Sequence, residues 1–310
     1  MAAVIGHAAA REAFASAIRS GALHHAWLLV GPQGVGKATF ARAVAIELLA
    51  AGADPARTAS LIEAGSHPDY RRLARLPKDA EKPDQDLARS ITIAQVRGLQ
   101  PMFATAPSMG SRRIVVIDAA DDLERGGANA LLKSLEEPPS GTMFLLVSHA
   151  PARLLPTIRS RCRLLRFAAL ADGEVRAVLR EQLPNEDDLE PLVAIADGSP
   201  GRALRYAGLD VAKLDAAIEA IIAEGDRDNV RRLALGRSLA GKAASQRYEA
   251  FLERAPAIIA RAARGRSGPA LKAALDAHAA ARELSGAALG LSLDPQSTAI
   301  EMAGIAATLR

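Results

Sequence analysis

The stretch Ala26–Ala45, AWLLVGPQGVGKATFARAVA, decides the fold. Five apolar residues end at Val30, the run Gly31-Pro-Gln-Gly-Val-Gly-Lys37 follows, and helical periodicity begins at once. A short unbroken apolar run bounded by turn residues suits a strand buried on both faces. Glycines at 31, 34 and 36 allow consecutive backbone N–H groups to turn toward one anion. The helix that follows adds a partial positive charge at its N-terminus, and Lys37 reaches toward the outer phosphates. Strand, loop, lysine and helix in this order predict a phosphate-binding loop rather than a bare turn. Its residues are Gly31, Gly34, Val35, Gly36 and Lys37, with Ala38 and Thr39 opening the helix. A nucleotide such as ATP is the expected ligand.

Outward from this loop, strand-like runs recur at Ile114–Ile117, Met143–Val147 and Leu164–Phe167. Helical periodicities lie between them at Lys37–Leu49, Ile91–Ala104 and Ala128–Glu137. The alternation predicts a parallel α/β sheet with helices on both faces, over residues 1–168. A loop-rich insertion interrupts it at 51–90; Pro55–Ser90 reads as exposed and mobile, densest in Pro and charge at PKDAEKPDQD, Pro77–Asp86. Residues 169–208 carry two or three helix-sized patterns broken by LPNEDD and DGSPG, a small helical lid. Residues 209–310 are alanine-rich and helical in period, which predicts an all-α bundle or oligomerisation domain. Within it, Phe251, Leu252, Ile258 and Ile259 keep near-helical spacing that Pro256 interrupts.

Two positions depart from what a hydrolytic phosphate site needs. The hydroxyl that would hold Mg²⁺ belongs directly after the lysine, where this chain has Ala38; Thr39 comes one residue late, turned by roughly 100° on a helix. RRIVVIDAADDL, Arg112–Leu123, is a buried strand ending in Asp118, placed to hold a metal through water. The position after it, where a glutamate would activate water, is Ala119. Asp121 and Asp122 read as solvated charges at the start of the next helix. The expectation is a site that binds nucleotide and does not hydrolyse it, with no metal.

Asn129-ALLKSLEEP-Pro139 and Phe144-LLVSHAPARLLPTIRSR-Cys162, with the glycine-rich loop, closely resemble the bacterial clamp-loader subunits of the AAA+ family over about Ala22–Phe167. The resemblance implies an AAA+ sheet domain, a helical lid and a C-terminal collar that closes a hetero-pentameric ring. It implies that Arg161, in Ser160-Arg161-Cys162, projects as an arginine finger into a neighbour's nucleotide site, where a guanidinium offsets charge on the γ-phosphate. Arg159 and Arg163 flank it, and on residue type alone a solvated basic cluster is the default. Cys162 reads as a packing residue. Ser148 matches the polar sensor position, ahead of His149. In Gly198-SPGRA-Leu204 the second sensor arginine falls on Gly201, leaving Arg202 one place late as a weak nucleotide contact. The four-cysteine zinc module common in the family has no counterpart, since the chain has one cysteine.

Loss of the metal ligand and the base, with retention of the arginine, resembles the stator subunit of the loader rather than its motor subunits. The implied partners are the motor and delta subunits, and through them the sliding clamp and primed DNA. The competing readings are a motor ATPase and, from another class, a small-molecule P-loop kinase, which leaves NALLKSLEEPP and the helical third unexplained.

Composition narrows the field further. With 39 Lys and Arg against 35 Asp and Glu, net charge is +4, compatible with nucleic acid or an acidic partner but demonstrating neither. At 3% aromatic residues, a base-stacking platform for single strands is not expected. No apolar run approaches bilayer length and no secretory leader is evident, so the expected setting is cytoplasmic, off the membrane.

Overall fold

A computed structural model describes residues 4–78 and 87–310. The chain divides into two compact units, Met1–Ala203 and Leu204–Arg310.

The first unit is built on a five-stranded sheet: β1 (Ala26–Val30), β2 (Tyr70–Leu73), β3 (Arg113–Asp118), β4 (Thr142–Ser148) and β5 (Arg163–Arg166). Strand order is β2-β3-β4-β1-β5, and each neighbouring pair is parallel. Every residue of β1 and β4 is buried, as expected of central strands covered on both sides. Alternate residues divide between two cores. Trp27 and Leu29 pack with Phe14, Phe40, Val44 and Phe167 on one face. Leu28 and Val30 pack with Leu131, Leu135, Val96 and Phe144 on the other. The parallel sheet with flanking helices is thus the AAA+-like core that the sequence implied.

Two expectations need correction. The stretch Pro55–Ser90 contains a helix, Pro55–Glu63, and the edge strand β2. Asp54 caps the helix by accepting from the Ala56 N–H at 3.0 Å, with Pro55 in its first turn, and Ile62 anchors it to the core. In β2, Tyr70 and Leu73 are buried while Arg71 and Arg72 are exposed, a pattern without strand alternation that hid it. Of the charged run Pro77–Asp86, all but Pro77 and Lys78 lies outside the described residues. The single helix expected over Ile91–Ala104 is two, Ile93–Arg97 and Gln100–Phe103, parted at Gly98 and begun by a Thr92–Gln95 capping box.

NALLKSLEEPP lies on the helix Arg125–Glu136, whose Leu131 and Leu135 are fully inward and Leu132 partly so. Glu137 leaves helical geometry ahead of Pro138, as a residue before proline tends to.

The second unit is an all-α bundle of Val211–Glu224, Val230–Ser238, Ser245–Ala262, Gly268–Leu291 and Pro295–Ala307. Its core mixes Leu214, Ile218, Phe251, Leu252, Ile259 and Met302 with Ala274, Ala281 and Ala303, small side chains that let the helices close up. Pro256 does not interrupt its helix. Proline removes the N–H that would serve the carbonyl four residues back, and the Ser285 hydroxyl donates to that Leu252 carbonyl at 2.9 Å instead. Among the described residues no helix is long and apolar enough to cross a membrane.

Candidate functional site

In parallel α/β sheets, sites form beyond the carboxyl ends of the strands. Register brings the chemistry-bearing residues of this chain to that edge: Val30 pairs with Ser148, and Asp118 with Val147. The glycine-rich loop, Asp118 and Ser148 therefore share one rim of the sheet.

The loop turns its carbonyls outward and each is held. Lys37 Nζ donates to the Gly31 carbonyl at 2.6 Å and to that of Pro32. Ser199 Oγ donates to Gln33 O at 2.8 Å, Gly201 N–H to Gly34 O at 2.9 Å, and His7 Nε2–H to Val35 O at 2.7 Å. Gly34 and Gly36 have φ of +78° and +105°, the left-handed region that glycine adopts without penalty. No side chain caps the helix Lys37–Leu49, so its first-turn N–H groups remain available for an anion.

Lys37 is 2% exposed, and burial pulls its ammonium down to about 8 against the opposing pull of Asp121 and Asp118. Two of its three N–H donors serve the loop, which leaves one for a ligand. Ala38 and Thr39 are exposed and line a cleft of about 540 Å³ with Arg42, Glu63, Tyr70, Arg71 and Arg72.

At the end of β3, Asp118 is paired with Arg72, Nη2 to Oδ2 at 2.7 Å. Ala119 behind it is a buried methyl group with nothing to accept a proton. Asp121 is not the solvated charge expected of it. It lies in the short helical turn Ala120–Asp122 and accepts from Ser148 Oγ at 2.8 Å and His149 N–H at 2.5 Å. Asp122 likewise pairs with Arg75 at 3.2 Å. Ser148, fully buried at the end of β4, thus spends its hydroxyl on Asp121. Burial, with Lys37 nearby, lowers the pKa of His149 despite the acids around it and favours its neutral form.

The segment Gly198–Leu204 is seated directly on the loop. A side chain at Gly201 would bring its Cβ to 2.8 Å from Gly34 Cα, closer than real Cβ contacts come, so an arginine there is sterically excluded. Arg202 bonds to Asp197 at 3.2 Å.

Arg161 follows the short helix Pro156–Arg159, with its side chain one-third exposed. It bonds to Glu136 at 2.6 Å and to the Thr157 carbonyl at 2.9 Å. Glu136 is the last residue of the NALLKSLEEPP helix, so these two motifs meet. Arg159 is exposed, and Arg163 lies over the Trp27 ring at 5.0 Å. Cys162 packs against the core, and burial pushes its thiol up to about 12, out of reach of thiolate chemistry.

Comparison with known proteins decides the family. A family model described as DNA polymerase III, delta subunit, matches residues 6–171, more than half the chain. The chain belongs to the delta prime family of clamp-loader subunits. It is 42% identical over 197 residues to DNA polymerase III subunit delta' of Pseudomonas aeruginosa, covering 60% of this chain and 57% of that one. It is 34% identical over 200 residues to the delta' subunit of Escherichia coli, covering 62% and 57%. The matched region thus spans little more than half the length of these relatives. Among solved structures, a gamma subunit-related protein of Thermotoga maritima aligns over 95% of this chain and 98% of that one, at 16% identity and a TM-score of 0.47. Within the delta prime family reading, Arg72, Ser199 and His7 are the site residues that sequence reasoning passed over. Arg72 sits in the stretch taken as a loop, and nothing local marks its pairing with Asp118.

Among the described residues, no three or more His, Cys, Asp or Glu side chains are gathered into a group that could hold a metal ion.

Proposed function

We propose that this chain is the stator of a bacterial clamp loader: it completes a hetero-pentameric ring with gamma/tau and delta subunits and supplies Arg161 in trans to its neighbour's ATP site. One observation carries the reading. A glycine-rich loop deprived of its metal hydroxyl and its base, at Ala38 and Ala119, coexists with a retained, partly exposed arginine at Ser160-Arg161-Cys162. A site that cannot turn over its own nucleotide has no use for that arginine, whereas a neighbour's site does. The loop around Lys37 binds a nucleotide such as ATP without hydrolysing it. The assembly opens and closes the sliding clamp on primed DNA in the cytoplasm. Nucleotidyl transfer belongs to another subunit of the polymerase holoenzyme.

The test is ATP turnover by the chain alone, then with its gamma/tau and delta partners. The chain alone is expected to be silent. The assembled complex is expected to turn over ATP and to lose about 10³–10⁵ in rate on Arg161→Ala, the range that trans arginine fingers supply. Because Arg161 makes only partly exposed contacts, worth no more than about 1 kcal/mol, the variant is expected to fold and assemble. Turnover unchanged by Arg161→Ala in an intact complex removes the finger assignment. Robust turnover alone, abolished by Lys37→Ala, makes the chain a motor.

A further inference from the structure

AAA+ sites ordinarily hold a nucleotide with Mg²⁺, and the residues around Lys37 do not fit that ion. The position for a hydroxyl ligand is the methyl of Ala38, and Thr39 follows one residue late, turned by roughly 100° about the helix axis. Ser148 donates its hydroxyl proton to Asp121, and Asp121 also accepts the His149 N–H. The remaining acid, Asp118, is only 15% exposed and already carries a cationic partner, Arg72. The hydroxyl ligand is missing at Ala38, Ser148 and both oxygens of Asp121 are committed to each other and to His149, and the charge of Asp118 is offset by Arg72 at one of its oxygens.

The charge such an ion would bring is nonetheless present. Arg72 stands on β2, beside β3, with its side chain about half exposed and its Nη2 on Asp118. A guanidinium carries five N–H donors and stays protonated throughout the physiological range. One donor on Asp118 leaves four others, and Arg72 lines the cleft that Ala38 and Thr39 border, where Arg42 is paired with Glu63 at 2.9 Å and Arg71 adds further positive charge.

We propose that Arg72 is the built-in counter-cation of this site, so that a nucleoside polyphosphate binds the Lys37 loop without a divalent metal. The loop N–H groups and the third donor of Lys37 take the phosphates from one side, and Arg72 takes them from the side where a metal sits in a hydrolytic site. This rests on the reading that the loop is a nucleotide site and extends it to the form of the ligand. It also gives a reason for Ala38 and Ala119: a site that uses a fixed guanidinium needs neither a metal ligand nor a water-activating base.

The experiment is a calorimetric titration of the full chain with ATP, once in MgCl₂ and once in EDTA. Wild type is expected to bind ATP with the same affinity in both, within about a factor of two. Arg72→Ala is expected to weaken binding in EDTA by about tenfold or more, the scale of one charge-assisted hydrogen bond. In MgCl₂ part of that loss is expected to return, because Asp118 is then released. Asp118→Asn, which removes the acid that would hold a metal, is expected to bind ATP in MgCl₂ no more weakly than wild type. Wild-type binding that needs Mg²⁺, no ATP binding in either buffer, or an Arg72→Ala chain that binds like wild type in EDTA each overturns the proposal. Absence of ATP binding in both buffers also removes the nucleotide-site reading of the Lys37 loop, whereas a need for Mg²⁺ or an inert Arg72→Ala overturns this proposal alone; none of these results bears on Arg161, whose role is read from turnover in the assembled complex.

Discussion

Replacing glycine by alanine at two helical positions should have opposite effects on stability. Alanine normally gains about 0.5–1 kcal/mol over glycine within a helix, by restricting the unfolded chain and favouring the helix. At Gly286, on the exposed side of Gly268–Leu291, nothing lies within 4 Å of an added Cβ, so Gly286→Ala should show that gain in full. At Gly201, in the first turn of Pro200–Tyr206, the added carbon lies 2.8 Å from Gly34 Cα and 3.0 Å from Gly34 O. Both are backbone atoms, and the Gly34 carbonyl is also bound by the Gly201 N–H at 2.9 Å, so neither partner yields easily. Overpacking of this kind costs about 1–3 kcal/mol. Set against the helical gain, Gly201→Ala should destabilise the sheet unit by about 1–2 kcal/mol. At roughly 2–4 °C per kcal/mol for a unit of this size, the melting point should fall by several degrees. Trp27, the sole tryptophan and 1% exposed in the sheet core, reports that transition by fluorescence, and far-UV circular dichroism reports the helical bundle. A Gly201→Ala chain stabilised as much as Gly286→Ala would refute the seating of this helix on the glycine-rich loop.

Lys37→Met tests the buried ammonium. The unfolded chain keeps the Lys37 proton up to about 10.5, whereas the folded site releases it near 8. The unfolded state therefore binds more protons in that window, and wild-type stability relative to Lys37→Met should rise from about pH 8 to 10.5. Urea midpoints across that range check it, and a constant difference would mean that the ammonium is not desolvated. In the helical bundle, Ser285→Ala should cost about 1 kcal/mol by stranding the Leu252 carbonyl. That cost should largely vanish in a Pro256→Ala background, where residue 256 regains its N–H; equal costs in both backgrounds would argue against the compensation. Asp215→Asn removes the carboxylate that Arg254 meets with Nε at 2.7 Å in a largely buried pair, and should destabilise the bundle by about 3 kcal/mol in a denaturant titration. A loss below about 1 kcal/mol would place that pair energetically at the surface.

Much of the site was legible in the chain because its parts are contiguous. Val30, the three glycines and Lys37 lie within eight residues, and the strand-loop-helix they form is dictated by apolar patterning and glycine freedom in one short window. The same holds for β3 ending in Asp118, for the losses at Ala38 and Ala119, and for the alanine-rich helical third. Helix ends carried by a single residue were less legible. Pro256 signalled a break, and the signal was overridden by Ser285, a residue on another helix.

What the sequence by itself determined is the menu of groups: a glycine-rich loop ending in a lysine, one acid on a buried strand, and an arginine after the fourth strand. Only the tertiary structure decided how those groups are spent. Arg72 meets Asp118 across 46 residues because β2 and β3 are neighbours in the sheet, although β2 lacks the alternation that would announce it. Ser199 reaches Gln33 across 166 residues, and Gly201 then meets Gly34, closing position 201 to any side chain. Asp121 turns from a solvent-facing charge into the anchor of Ser148 because the β3 and β4 ends lie side by side. Local patterning reports what a residue is next to along the chain, whereas ion pairs and steric exclusion depend on what lies next to it in space, and packing of the sheet sets that.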